Sequence, residues 1–272
     1  MFMEVTAPAA PAQNAVNLLA SAEQPDSGSS DWMNGITWAG EACPDWQGFN
    51  PCAELDEAPP EGTTGAVYVM PVGYRVGYEC STLSGALDVD RARRQAERIA
   101  SFVVARELWT GALSALDPYD LPMGGATDQV NPHLAQVDVA NRLTTTTDPM
   151  AAVAELEAAA AEQTLGGPVF IHGSTAVIGQ IGQNLERTGN ELRTKTGAVV
   201  IPDAGYPGTG PDGTGAGWLY ATGPVVVRLG AISSDTTPAT TTDRTTNRRR
   251  AIAERLFAVA FDPCTLFAIQ VT

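Results

Sequence analysis

Few side chains in this 272-residue chain are suited by type to acid–base or nucleophilic work near neutral pH. They are His133 and His172, the thiols Cys43, Cys52, Cys80 and Cys264, and one lysine, Lys195. A catalytic thiol needs a base beside it, so Cys80 or Cys264 would have to pair with His172, and no local signature accompanies either pairing. Ser174 in "IHGSTAVIG" stands where a strand should turn into a helix. The G-x-S-x-G elbow is absent, because His172 occupies the place of its first glycine. A helix N-cap accounts for Ser174 fully. No C-x-x-C pair supplies zinc-ligand spacing, and two histidines cannot make a histidine-rich metal site. Cys43 and Cys52 flank "PDWQGFNP" and could meet across a hairpin, but free thiols are the expectation in a reducing cytosol. "GYPGTGPDGTGAG" lacks the G-K-[ST] of a phosphate loop and precedes a strand rather than a helix, so it is expected to be a flexible loop at a tip. No active site, cofactor or metal is expected.

Charge narrows the partners. The formal net charge is −15. Residues 1–74 hold ten carboxylates and no lysine or arginine, which leaves 21 acids against 16 bases in the remainder. Nucleic-acid affinity comes mainly from basic residues that displace counterions, so free DNA or RNA should bind weakly. Arg244 and the run Arg248, Arg249, Arg250 form the one basic cluster, read as a solvated turn or a subunit contact. No stretch approaches the roughly 20 apolar residues of a membrane span, and the N-terminus lacks the pattern of a signal peptide.

The elements that would position these residues are visible in outline. Residues 1–30 are rich in Ala, Pro, Ser and acids and predict an extended arm. Trp32, Trp38, Trp46 and Phe49 follow among turn residues without helical period, and either fold back on their own core or anchor in a neighbouring subunit. "AVYVMPVGYRVGYEC" predicts strand, with a bend or bulge at Pro71-Val72-Gly73. Val89–Thr110 carries apolar residues at three- and four-residue spacing and predicts a helix of roughly 30 Å. Asp148 and Pro149 open a second helix, Gly166-Gly167 closes it, and Ser174 caps a third. Strands are expected at "PVFIHG", "AVVIPDAGY" and "WLYATGPVVVRLGAI". The chain closes on two apolar runs, Arg255–Phe261 and Thr265–Val271, hinged on Asp262-Pro263-Cys264. Both runs are expected to pair in one lobe with the long helix, where the terminus would be central to a sheet.

This order of parts, with "FAVAFDPCTLFAIQV" as its most specific stretch, resembles the tailed-bacteriophage major capsid fold, the Hong Kong ninety-seven fold shared with encapsulins. The resemblance implies an α+β protein with an N-terminal arm at 1–35 and an E-loop with return strands at 36–80. It further implies a peripheral domain with a long spine helix at 81–147, an α/β axial domain at 148–232, and closing strands that return to the peripheral domain at 233–272. It also makes Trp38, Trp46, Phe49, Arg248, Arg249 and Arg250 candidate subunit contacts.

The function implied is structural. Copies would form hexamers and pentamers of an icosahedral head, made in the host bacterial cytoplasm and carried in the virion. Scaffolding, decoration and portal proteins would be the partners, with double-stranded DNA enclosed but not read by sequence, and no membrane. At 272 residues a long N-terminal scaffolding segment is not expected. Its only lysine lies outside the E-loop, so no lysine cross-link is expected there. Two other functions are carried beside this one: an encapsulin-type compartment shell, against which the Pro/Ala-rich acidic start argues, and a cytosolic thiol or serine hydrolase built around His172.

Overall fold

The computed structural model describes residues 16–25, 30–39, 66–81, 89–116, 131–136, 141–211, 213–235, 242–243 and 248–272. A single turn of helix, α1 (Leu18–Ser21), precedes the ribbon strands β1 (Ile36–Ala39) and β2 (Ala66–Val69). Then come β3 (Val72–Ser81), the long α2 (Val89–Thr110), β4 (Asn141–Arg142) and α3 (Pro149–Gln163). An alternating section follows: β5 (Phe170–Ser174), α4 (Thr175–Ile181), β6 (Glu186–Thr188), β7 (Glu191–Arg193), β8 (Val199–Asp203) and β9 (Trp218–Thr222). The chain ends through β10 (Val226–Leu229), β11 (Ser233–Asp235), β12 (Thr242–Asp243), β13 (Arg248–Ala260) and β14 (Phe267–Gln270).

Local chemistry explains several boundaries. Asp148 accepts from the Met150 amide and Pro149 stands first in α3, so a donor with no partner in the helix is satisfied and another is absent. Gly166, at φ +84°, donates to Ala161 O and ends that helix. Ser174 accepts from Val177 N and starts α4 as an N-cap. Pro71 has no N–H to extend the ladder, and β2 and β3 are separated at Met70-Pro71.

β13 organises a five-stranded sheet. It pairs with β3 over ten positions, from Arg248 opposite Ser81 to Phe257 opposite Val72, and also with β10, β11 and β12. α2 lies on this sheet, and its Ala92, Ala96 and Ala100 share one core with Ala251 and Ala253 of β13. Small residues on both sides let helix and strand approach closely, so packing rather than side-chain bulk supplies the attraction.

The second sheet has seven strands in the order β4-β14-β9-β5-β8-β7-β6. Its strands alternate between two cores. Ile171, Val200, Leu219 and Ile269 face α3 and α4, while Phe170, Ile201, Tyr220 and Ala268 belong to the core of α2. Burial on both faces is the arrangement expected of an α/β sheet covered on each side.

The closing strands depart from expectation. The first apolar run completes β13, but the second crosses to the other sheet. There β14 lies between β4, parallel to it, and β9, antiparallel. Asp262 accepts from the Cys264 amide and Pro263 opens a 3-10 turn that redirects the chain between the two. β10 likewise pairs with β13 and not with β9, so "WLYATGPVVVRLGAI" divides between the sheets after Thr222. The terminus is apolar because it stitches two sheets together.

Candidate functional site

The polar groups with the greatest capacity for chemistry lie where the two sheets meet α2. His172 is completely buried on β5. Its Nδ1 lies 2.9 Å from Tyr206 Oη, and its Nε2 lies 2.9 Å from Thr222 Oγ1. Thr222 spends its only proton on Gly223 O at 2.8 Å, so it must accept from His172 Nε2–H. Nδ1 is then the acceptor for the Tyr206 hydroxyl. Both nitrogens are occupied in the neutral ring, and burial depresses the pKa to about 3.

That shift fixes a pH dependence. A base held neutral in the fold contributes stability that is complete above its unfolded pKa near 6.5 and is lost as pH falls toward about 3. The loss is about 1.4 kcal/mol per pH unit, or about 5 kcal/mol in all. Asp203 acts in the opposite sense, because burial raises its pKa and falling pH favours the folded chain across its window. His172→Gln is expected to flatten the decline in urea midpoint between pH 6.5 and 4 by close to one proton. Equal slopes in the two proteins would disprove the assignment.

Asp203 joins three parts of the molecule. Its Oδ2 accepts from Leu18 N at 3.1 Å and from Ser101 Oγ at 2.8 Å, and its Oδ1 accepts from Gly205 N at 2.8 Å. α1, α2 and the end of β8 are thereby held on one carboxylate. Glu107, also buried, accepts from Leu113 N at 2.6 Å and Ser114 N at 3.0 Å and closes the C-terminal end of α2. The D-x-G of Asp203 and Gly205 is a local turn signal. Its partners Leu18 and Ser101 carry no signal in the sequence.

None of the nucleophiles expected from the sequence is the partner of His172, whose two nitrogens meet Tyr206 and Thr222. Ser174 Oγ caps α4. Cys80 lies opposite Arg249 on β3, in the other sheet from His172. Cys264 is in a disulfide, which corrects the expectation of free thiols and removes it as a nucleophile. Among the described residues no group of His, Cys, Asp or Glu could hold a metal ion. No described helix is long and apolar enough to cross a membrane.

The glycine-rich loop is exposed at residues 213–216, but its first half is not the free tip that its composition suggests. Gly205, Tyr206, Gly208 and Gly210 are buried. The Thr209 carbonyl accepts from both Trp109 Nε1 and Tyr220 Oη at 3.1 Å, and Trp218 N donates to Gly208 O. The Gly205, Tyr206 and Gly210 amides donate to Asp203 and Thr214, so these N–H groups are not free to cradle a phosphate.

The residues expected at subunit contacts are placed as follows. Trp38 lies on β1 opposite Val67, whereas Trp46 and Phe49 fall outside the described residues. Arg248, Arg249 and Arg250 open β13 instead of forming a turn. Arg248 Nη1 lies 2.8 Å from Glu79 Oε2, and Arg250 Nε lies 2.5 Å from Glu79 Oε1. These two guanidiniums hold the Glu79 carboxyl below the usual range. The pairs are solvent-exposed, where such contacts add little stability. Exposed apolar side chains, Met33 and Leu256, line a groove of about 570 Å³ with Gly73, Tyr74 and Gly230.

No protein-family model matches the sequence, and no curated protein matches it. Solved structures do match. The capsid of an empty GTA particle aligns over 100% of this chain and 94% of its own, with a TM-score of 0.61 at 11% identity. This is a phage capsid fold. A chain from Mycobacterium phage Ogopogo aligns over 100% and 97%, with a TM-score of 0.56 at 14% identity. One from Microbacterium phage Oxtober96 aligns over 100% and 95%, with a TM-score of 0.54 at 10% identity. Each of these alignments spans the whole length of the chain.

Proposed function

We propose that this chain is the major capsid protein of a tailed phage, assembling into hexamers and pentamers of an icosahedral head around double-stranded DNA. The observation that carries the reading is the end-to-end match to the GTA particle capsid, 100% of this chain against 94% of that one. The chemistry of the interior agrees with it: each buried polar group described above is engaged in holding elements together.

In this reading residues 1–35 are the N-terminal arm, 36–80 the E-loop and its return, and 81–147 the peripheral domain around α2. Residues 148–232 form the axial domain, and 233–272 return through β13. Two strands cross these boundaries, since β10 pairs in the sheet of β13 and β14 in that of β5. Subunits would make small contacts through Trp38, Trp46, Phe49 and Arg248–Arg250, and a closed lattice sums such contacts over many copies. An acidic chain does not grip DNA, which suits a head filled with it.

Negative-stain electron microscopy of the protein expressed alone tests the reading. Closed shells, or free hexamers and pentamers, are expected. A homogeneous monomer or dimer that stays unassembled at high concentration would overturn it.

A further inference from the structure

The ribbon of β1 and β2 is a two-stranded sheet, hydrogen-bonded to neither of the larger ones. Its strands leave the body at adjacent points, each of which permits a bend. Gly35, at φ +110°, precedes β1, and a Cβ there would stand 3.1 Å from Met70 Sδ. Met70-Pro71 follows β2, where the ladder stops. Apolar packing at this joint joins Trp32 and Val69 to Ala258 and Ala260 of β13, with Ile36 and Val67 of the ribbon against them, but such contacts fix no single angle.

One buried side chain closes the joint. Asn131 Oδ1 accepts from Met70 N at 2.8 Å, and Asn131 Nδ2 donates to Met70 O at 2.8 Å. Both backbone groups of the bend residue are therefore held by a single amide. Asn131 is itself fixed to the end of α2. Its N–H donates to Ser114 Oγ at 3.3 Å, Ser114 Oγ donates to Gly111 O at 2.9 Å, and the Ser114 amide donates to the Glu107 carboxylate. A bracket runs from a rigid helix to the bend.

We propose that Asn131 is the pin that sets the angle at which the β1–β2 ribbon leaves the body. Without it, the Met70 N–H and C=O can be satisfied by water in many ribbon orientations, whereas the amide satisfies them in one. A primary amide supplies a donor and an acceptor together, so a carboxylate or an alanine cannot replace it. The pin does not rest on the capsid reading.

The test places spin labels, through unnatural amino acids, at Tyr68 on the ribbon and Glu155 on α3, with a second pair at Glu97 and Glu155 within the body. Labelled chain is diluted tenfold with unlabelled chain, so pairs between copies do not contribute. Asn131→Ala is expected to at least double the width of the Tyr68–Glu155 distance distribution and leave the Glu97–Glu155 width unchanged. Hydrogen exchange at the Met70 amide should accelerate at least tenfold. An unchanged ribbon distribution would overturn the proposal. Broadening of both pairs would also overturn it, since Asn131 would then support the body as a whole. Neither result depends on whether shells form.

Discussion

Gly205→Ala is expected to destabilise the chain by about 4 kcal/mol or more, at the upper end for a single methyl. A Cβ at Gly205 would stand 2.2 Å from Phe102 O, 2.9 Å from Ala105 Cβ and 3.0 Å from Arg106 N. Two of those atoms are backbone of α2, so no rotamer change can relieve the contact. Retreat of the loop would also strain the Asp203 carboxylate, which accepts from both Gly205 N and Ser101 Oγ of α2. Helix and loop must separate, and with them the packing of Trp109 on Tyr206, whose rings are 5.0 Å apart. Gly179→Ala is the control. Gly179 lies inside α4 with nothing within 4 Å of a new Cβ, and alanine there should add up to about 1 kcal/mol. Chemical denaturation of both variants reads the contrast. A Gly205→Ala protein as stable as the parent would show that α2 does not rest on this loop.

The contrast marks what a sequence can disclose. Capping is local: Asp148 reaches Met150 and Ser174 reaches Val177, so the starts of α3 and α4 are legible from a few neighbouring residues. The period of α2 is legible for the same reason. The alternating lobe could be read as an order of elements, and with it the capsid fold. The contacts that join the lobes could not. Asp203 meets Leu18 across 185 positions and Ser101 across 102, and nothing in "IPDAG" points to either. Asn131 is one asparagine among loop residues until Met70 is placed beside it. The glycine-rich loop is only half legible: composition reports the backbone freedom used at Gly208, Gly213 and Gly215, but not the close approach that Gly205 and Gly210 allow. The arginines of β13 read as a turn because charge hides the strand they begin.

The crossing of the last strand leads to the second large effect. Deleting residues 267–272 is expected to abolish the fold, where removal of a fraying tail would cost little. The deletion strips β9 of one neighbour and β4 of its only partner among the described strands. It removes Ala268 and Ile269, both fully buried, one facing each core. It also frees the Gly217 carbonyl, which accepts from Val271 N, and the Thr146 carbonyl, which accepts from Thr272 N. Ile269→Ala separates packing from pairing, because the strand's backbone remains while the cavity under α3 should cost about 3 kcal/mol. The deleted chain should appear in the insoluble fraction or lose its cooperative thermal transition, and the Ile269→Ala chain should melt earlier but cooperatively. A deleted chain that still melted cooperatively would mean that β13 and α2 hold the molecule without β14. If the deletion does abolish the fold, the seven-stranded sheet does not form without β14, and the five-stranded sheet cannot stand without it. The two lobes then close in one event, with β14 as the strand that joins them.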